Sequence, residues 1–254
     1  MSDLEIKYAV LNNTLASDPY FKTEVWKQAV FFEPEPVLKD LIKTRGKDTS
    51  YLKCPAFQDY YKNCYLIRCP IDLTIRIKNK RIYTDQYDQA FYDKHIINRM
   101  GENSLYSMLS VVFRYTFFSN ESVMLEHMYP TMHASEAVRN LNVISGTYDI
   151  SKWVRGNEFG FEVVDDTKPI VFKRGDPLYY VRFVTDRPIK LERELHSLEL
   201  ENISHSFVGV KVYVPGSSLE RAYEIARPFM EAVKKKYFKK KSKCPFGFMR
   251  RKDD

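Results

Sequence analysis

Two histidines, His127 and His133, lie near Glu126, Glu136 and Asp149. Two imidazoles and a carboxylate converging on one point can hold iron. In a strand-rich chain that set would suit a cupin-like, metal-dependent oxygenase. The spacing works against convergence. Glu126 and His127 are adjacent and so point to opposite faces of a strand, and Pro130 with a turn-like stretch separates His127 from His133. H-x-D and H-x-E motifs are absent. His127, His133 and Asp149 are the candidates for a metal, as a remote alternative; no cofactor is expected. Of the other histidines, His95 reads as part of a polar surface, and His196 and His205 flank an expected loop.

Nucleophilic chemistry is no better supplied. Cys54, Cys64 and Cys69 are spaced ten and five apart, and no C-x-x-C motif occurs. They read as buried reduced thiols rather than a disulfide framework or a zinc site, and none has a local base or oxyanion motif beside it. Both the G-x-x-x-x-G-K-S/T phosphate loop and the G-x-G-x-x-G fingerprint are missing. Asp165-Asp166 fits a solvated turn. Arg174-Gly175-Asp176-Pro177 is accounted for by turn chemistry, since glycine permits positive φ and Asp-Pro favours a reversal.

The sharpest surface feature is at the C-terminus. Lys234, Lys235, Lys236, Lys239, Lys240, Lys241 and Lys243 put seven lysines in ten residues, with Tyr237 and Phe238 between them. Such a segment can follow a phosphate backbone while its rings stack, without reading sequence; it can equally solubilise the chain or dock on an acidic partner. The chain has 254 residues and a formal charge of +7, from 40 basic and 33 acidic groups. Ten of those basic and three of those acidic groups lie in the last 24 residues, which leaves 30 of each in residues 1–230. A neutral body with a basic tail is expected.

The elements that would carry these residues are mostly strands. Ile71, Leu73, Ile75 and Ile77 alternate with polar residues, and Asn79-Lys80 makes a tight turn into residues 81–84. Residues 105–118 and 123–128 suggest two central strands, although the first half of that stretch could be a buried helix. The alternation of Phe159, Phe161 and Val163, of Tyr179, Val181 and Phe183, and of Ile189, Leu191 and Arg193 gives further strands, with Val210, Val212 and Val214 as the last. Residues 20–32 form a helix-like or twisted-strand run, and 37–43 a short helix. Ser217 and Glu220 suggest a capping box for an amphipathic helix that Pro228 should kink or divide. The expected fold is a mainly β, β-rich α+β domain: an antiparallel sandwich or jelly-roll-like barrel with a C-terminal amphipathic helix. It would span 1–230, with 1–50 peripheral, 51–214 the sheet core and 217–230 the helix; 231–254 is the tail. The first residues have neither a basic nor an apolar leader region, so no secretory signal is expected. The longest apolar run, Val111–Phe118, contains Arg114 and is too short to span a membrane.

The segments Asn142-Val143-Ile144-Ser145-Gly146-Thr147-Tyr148-Asp149-Ile150-Ser151-Lys152-Trp153-Val154-Arg155 and Lys173-Arg174-Gly175-Asp176-Pro177-Leu178-Tyr179-Tyr180-Val181-Arg182-Phe183 resemble an uncharacterised family of proteins from large tailed bacteriophages, T4-like and of the marine or cyanophage type. Lys53-Cys54-Pro55-Ala56-Phe57, Asn63, Cys69-Pro70-Ile71-Asp72 and the aromatic, lysine-rich C-terminal helix belong to the same resemblance, which covers residues 50–240. It implies a viral protein made in a bacterial host's cytoplasm and carried, in one version, in the virion. It implies no active site. Two functions stay open: a non-enzymatic structural or assembly protein contacting phage or host proteins or its own copies, and an accessory protein binding nucleic acid non-specifically, or a host factor, through the lysine-rich tail.

Overall fold

The computed structural model describes residues 2–10, 30–84, 86, 87, 89, 91, 95–101, 104–195, 197–214, 216 and 218–238, without the side chains of 205–212 and 219. In chain order its strands and α-helices are β1 (Leu4–Val10), β2 (Glu35–Pro36), α1 (Val37–Arg45), α2 (Pro55–Tyr61), β3 (Cys64–Arg68), β4 (Leu73–Lys78), β5 (Arg81–Tyr83), β6 (Ile96–Asn98), β7 (Ser107–Val111), β8 (Tyr115–Ser119), β9 (Met124–Met128), α3 (Glu136–Arg139), β10 (Leu141–Val143), β11 (Thr147–Asp149), β12 (Phe159–Val163), β13 (Ile170–Phe172), β14 (Pro177–Val184), β15 (Ile189–Arg193), α4 (Leu198–Tyr213) and α5 (Leu219–Tyr237).

Period-two alternation decides which face each strand buries. Tyr65 and Ile67 of β3, with Tyr179, Val181 and Phe183 of β14, enter the main core, while Cys64, Leu66 and Tyr180 face away and pack under α1 and α2. Tyr115 and Phe117 of β8 enter the same main core; Phe118 turns outward and meets Val154, Leu200, Ile203, Tyr223, Ala226 and Met230 beneath α4 and α5. The result is layered: α1 and α2, then the sheet β11-β9-β14-β3-β2, the main core, the sheet β15-β1-β8, and the pair α4–α5. Two more sheets, β10-β12-β7-β6 and β13-β4-β5, close the sides of the main core. The described strands form no closed barrel, so the mainly β, α+β sandwich holds and the barrel version does not.

Local expectations hold at the turns. Asn79 and Lys80 have φ of 50° and 58°, the doubly left-handed turn that matches hairpin twist. Gly175 has φ 94°; its N–H bonds to the Cys69 carbonyl at 2.8 Å, and Arg68 donates to its oxygen at 2.9 Å. The Arg-Gly-Asp triplet is thus a structural corner.

Other expectations are corrected. Residues 1–50 are not uniformly peripheral: β1 is the middle strand of its sheet, antiparallel to β8 and parallel to β15, and Leu4, Ile6, Tyr8, Ala9 and Val10 are all buried. The parallel pair also departs from an all-antiparallel arrangement. Most of the run 20–32 lies outside the described residues.

Val210, Val212 and Val214 do not form a strand; α4 reaches Tyr213. Ser197 caps that helix, its hydroxyl accepting from Leu200 N–H at 3.2 Å. Leu200 and Ile203, three apart, bury against the Phe118 layer, and this packing overrides the β-propensity of valine. His205 accordingly sits within a helix. The cap of α5 is Ser218, one residue later than expected: its hydroxyl accepts from Arg221 N–H at 3.1 Å. Pro228 lies inside α5 without dividing it, and the helix continues past residue 230 to Tyr237.

Because β1 feeds two cores, trimming its side chains should be costly. Ile6→Ala is expected to lower stability by about 2–5 kcal/mol in urea unfolding, the range for buried isoleucine. A peripheral strand would show no measurable change.

Candidate functional site

A concavity runs beside α5. The helix buries Ala222, Tyr223, Ala226, Met230 and Val233, as apolar residues recurring at three and four require. Tyr223 stacks on Trp153 with ring centroids 4.4 Å apart and planes at 19°, and Trp153 meets Tyr148 at 5.5 Å. The turn carrying Trp153 is set by Asp149, whose backbone oxygen accepts from the N–H groups of Lys152 and Trp153, each at 3.0 Å. Burial works against the Asp149 carboxylate. Bonds from Ser151 N–H (2.9 Å) and Ser122 hydroxyl (2.8 Å), with Lys152 at 3.3 Å, outweigh it and hold the carboxyl below its usual value.

Between this turn and α5 lies a groove of about 800 Å³ walled by Trp153, Tyr223 and Met230. Its rim carries Lys152, Arg227 and Lys234 against Glu220, Glu224 and Glu231. Neither histidine nor cysteine is among its described lining residues. The groove therefore offers an aromatic wall and charges of both signs, a composition that suits binding.

The expected lysine-rich arm is partly built into the fold. Lys234 is buried with its Nζ 3.1 Å from Glu231, and Lys236 pairs with Glu199 of α4 at 2.5 Å. Tyr237 and Phe238 set their rings edge-on to Phe118, at 5.6 and 6.0 Å, and the Tyr237 hydroxyl bonds with Ser197 at 2.8 Å. These two rings are packed against the body instead of presented to bases. Lys235 is exposed; Lys239, Lys240, Lys241 and Lys243 lie outside the described residues.

The structure does not bring the metal candidates together. His127, on β9, lies buried between the rings of Tyr148 (5.8 Å) and Tyr179 (5.4 Å), and burial lowers its pKa to about 4. His133 belongs to a different network: Nε2 is 2.7 Å from Asp40, Nδ1 is 2.5 Å from the Tyr180 hydroxyl, and Asp40 also takes Arg68 at 2.6 Å. A carboxylate only accepts, so Nε2–H donates to Asp40; in the neutral imidazole that burial favours, the Tyr180 hydroxyl donates to Nδ1. Burial lowers the His133 pKa despite Asp40. The Asp-His-Tyr series is not a nucleophile site, because Tyr180 is fully buried. Among the described residues, no group of three or more His, Cys, Asp or Glu could hold a metal.

Other placements differ from expectation. Cys64 and Cys69 are buried free thiols, both pushed up to about 12 by burial, but Cys54 is exposed at the start of α2. His95 is buried beside Phe91, off the polar surface. Asp165 sits in a solvated turn, as expected, accepting from Thr167 and pairing with Lys168 at 2.9 Å.

No protein-family model, curated protein or solved structure matches this chain. Among the described residues, no helix is long and apolar enough to cross a membrane. Of the groove residues the sequence singles out Lys234 alone as a binding candidate, because Trp153 and Tyr223 are far apart in the chain and share no motif.

His127 makes a pH prediction. Between its unfolded pKa near 6.5 and its folded value of about 4, the unfolded chain binds more protons, so stability falls as pH drops through that window. At about 1.4 kcal/mol per unit, the loss from this group approaches about 3 kcal/mol by pH 4. Urea midpoints measured across pH 4.5–7.5 should slope less in His127→Leu than in wild type; parallel slopes would exclude His127 as the source.

Proposed function

We propose that this chain is a non-enzymatic bacteriophage protein that acts through protein–protein contacts, as a virion component or an assembly factor, with the groove beside α5 as its contact surface. The observation that carries this reading is the groove's composition. Trp153, half-buried, and Arg227, exposed, are of the residue types that anchor protein interfaces, over a floor of the buried Tyr223 and Met230. Charges of both signs on the rim suit a polypeptide of mixed charge better than a polyphosphate. Elsewhere on α5, away from the groove, Phe229 is 66% exposed and Ile225 lies one turn before it, a separate exposed apolar pair. The phage context rests on the resemblance of residues 142–155 and 173–183; in this reading the protein works in a bacterial host's cytoplasm and, for a structural role, in the particle. The partner in this reading is another phage protein, a host protein or a second copy.

The alternative of an accessory protein that grips nucleic acid with its tail draws less support, since Lys234, Tyr237 and Phe238 are engaged with the body. The test is quantitative mass spectrometry of particles and assembly precursors isolated from infected cells. A fixed copy number in one of these fractions, reduced severalfold by Arg227→Glu, is expected. Absence from both fractions, or an Arg227→Glu copy number equal to wild type, contradicts the reading.

A further inference from the structure

The neutral charge of residues 1–230 hides a concentrated basic surface. Residues 74–83 contain Arg76, Lys78, Lys80 and Arg81 and no acidic residue. Alternation along β4 sends Leu73 and Ile75 into the main core and leaves Arg76 and Lys78 exposed on the opposite face. The β4–β5 register sets Lys78 across from Arg81 and Arg76 across from Tyr83. Like charges directly opposite each other disfavour a hairpin, so the Lys78–Arg81 pair does nothing for the fold that an opposite-charge pair would not do better. Lys80 occupies the turn itself, at φ 58°.

A shallow groove of about 630 Å³ follows this face, bounded by Arg76, Lys78 and Tyr83 on the hairpin and by Lys168 on the loop before β13. Among the described residues, Asp166 also lines the groove and accepts from the Ser107 hydroxyl at 2.6 Å, and Asp165 pairs with Lys168 at 2.9 Å, so the basic groups outnumber the acidic one on this face. Tyr83 is 44% exposed. Arg76 and Lys78 are on the same face of one strand, about 7 Å apart along it. That separation lets each meet a separate phosphate.

We propose that the exposed face of the β4–β5 hairpin binds single-stranded nucleic acid without sequence specificity. Arg76, Lys78 and Arg81 contact phosphates, and Tyr83 stacks on an unpaired base. The aromatic ring among the cations favours a single strand over a duplex, whose bases are already stacked, and over an acidic polypeptide, which offers no comparable π-face. This surface shares no residue with the groove beside α5, so it stands or falls independently of the contact role proposed for that groove.

The test is fluorescence anisotropy of the full chain with a labelled thymidine oligonucleotide, titrated between about 50 and 200 mM salt. Each salt contact to a single strand contributes about 0.7 to the slope of log affinity against log salt. The triple variant Arg76→Ala/Lys78→Ala/Arg81→Ala is expected to bind at least tenfold more weakly and to lower that slope by about 2. Tyr83→Leu, which keeps every charge, should weaken single-strand binding severalfold and leave the salt slope unchanged. Circular dichroism verifies that each variant is folded. Wild-type binding that the triple variant retains in full overturns the proposal, as does no binding at the lowest salt. So does a preference for polyglutamate over the oligonucleotide, which would make the face an acidic-protein site.

Discussion

The fold depends on the hydrogen bonding of β1 between β8 and β15. This one strand joins residues 4–10 to partners at 115–119 and 189–193, and its two faces serve different layers. Leu4, Ile6, Tyr8 and Val10 fill the main core; Ala9 packs beneath the α4–α5 pair. Between them Lys7 is buried with its Nζ 2.5 Å from Glu194, 3.3 Å from Glu192 and 3.4 Å from Glu5. Burial opposes its charge, but the carboxylates outweigh burial and raise its pKa. A one-residue slip of β1 would move Lys7 toward the core and leave the carboxylates without it, so the ion cluster reinforces the register that apolar alternation sets. Lys7 also lies 5.5 Å from the centre of the Phe238 ring, which ties the first strand to the end of the last helix.

The interior absorbs most of the residue types that suggest chemistry. Asp40, Arg68, His133 and Tyr180 satisfy one another across α1, β3, a 3-10 turn and β14, fastening the α1–α2 layer to its sheet. His127 is enclosed by tyrosine rings, and Cys64 and Cys69 are buried thiols. What reaches the surface in organised form is the aromatic groove beside α5 and the cationic face of β4–β5. Both are the surfaces proposed for binding, which is why the functional reading rests on contacts.

Much of the sheet was readable from residue order alone. Leu73, Ile75 and Ile77 alternate cleanly, Asn79-Lys80 reads as a hairpin turn, and residues 159–193 carry repeated alternation; all sit as expected because their cues are local. The central place of β1 was not readable, since its partners lie over 100 residues away and its buried polar residue, Lys7, looks like a solvent-facing one. The valines at 210–214 mimic a strand until Ser197 caps α4 and Leu200 and Ile203 find the Phe118 layer. Net charge misled in a similar way. Tail lysines stood out as a run, whereas Arg76, Lys78 and Arg81 form a patch only once two strands pair.

The central claim is that β1 binds the sheets and the α4–α5 layer into one cooperative unit that includes Tyr237 and Phe238. Native-state hydrogen exchange of the full chain tests it directly. The account predicts that amides of Ile6–Ala9 and those of Ala226–Lys236 share one opening free energy, equal to that of global unfolding. Independent, low-energy opening of α5 while β1 stays protected would contradict it.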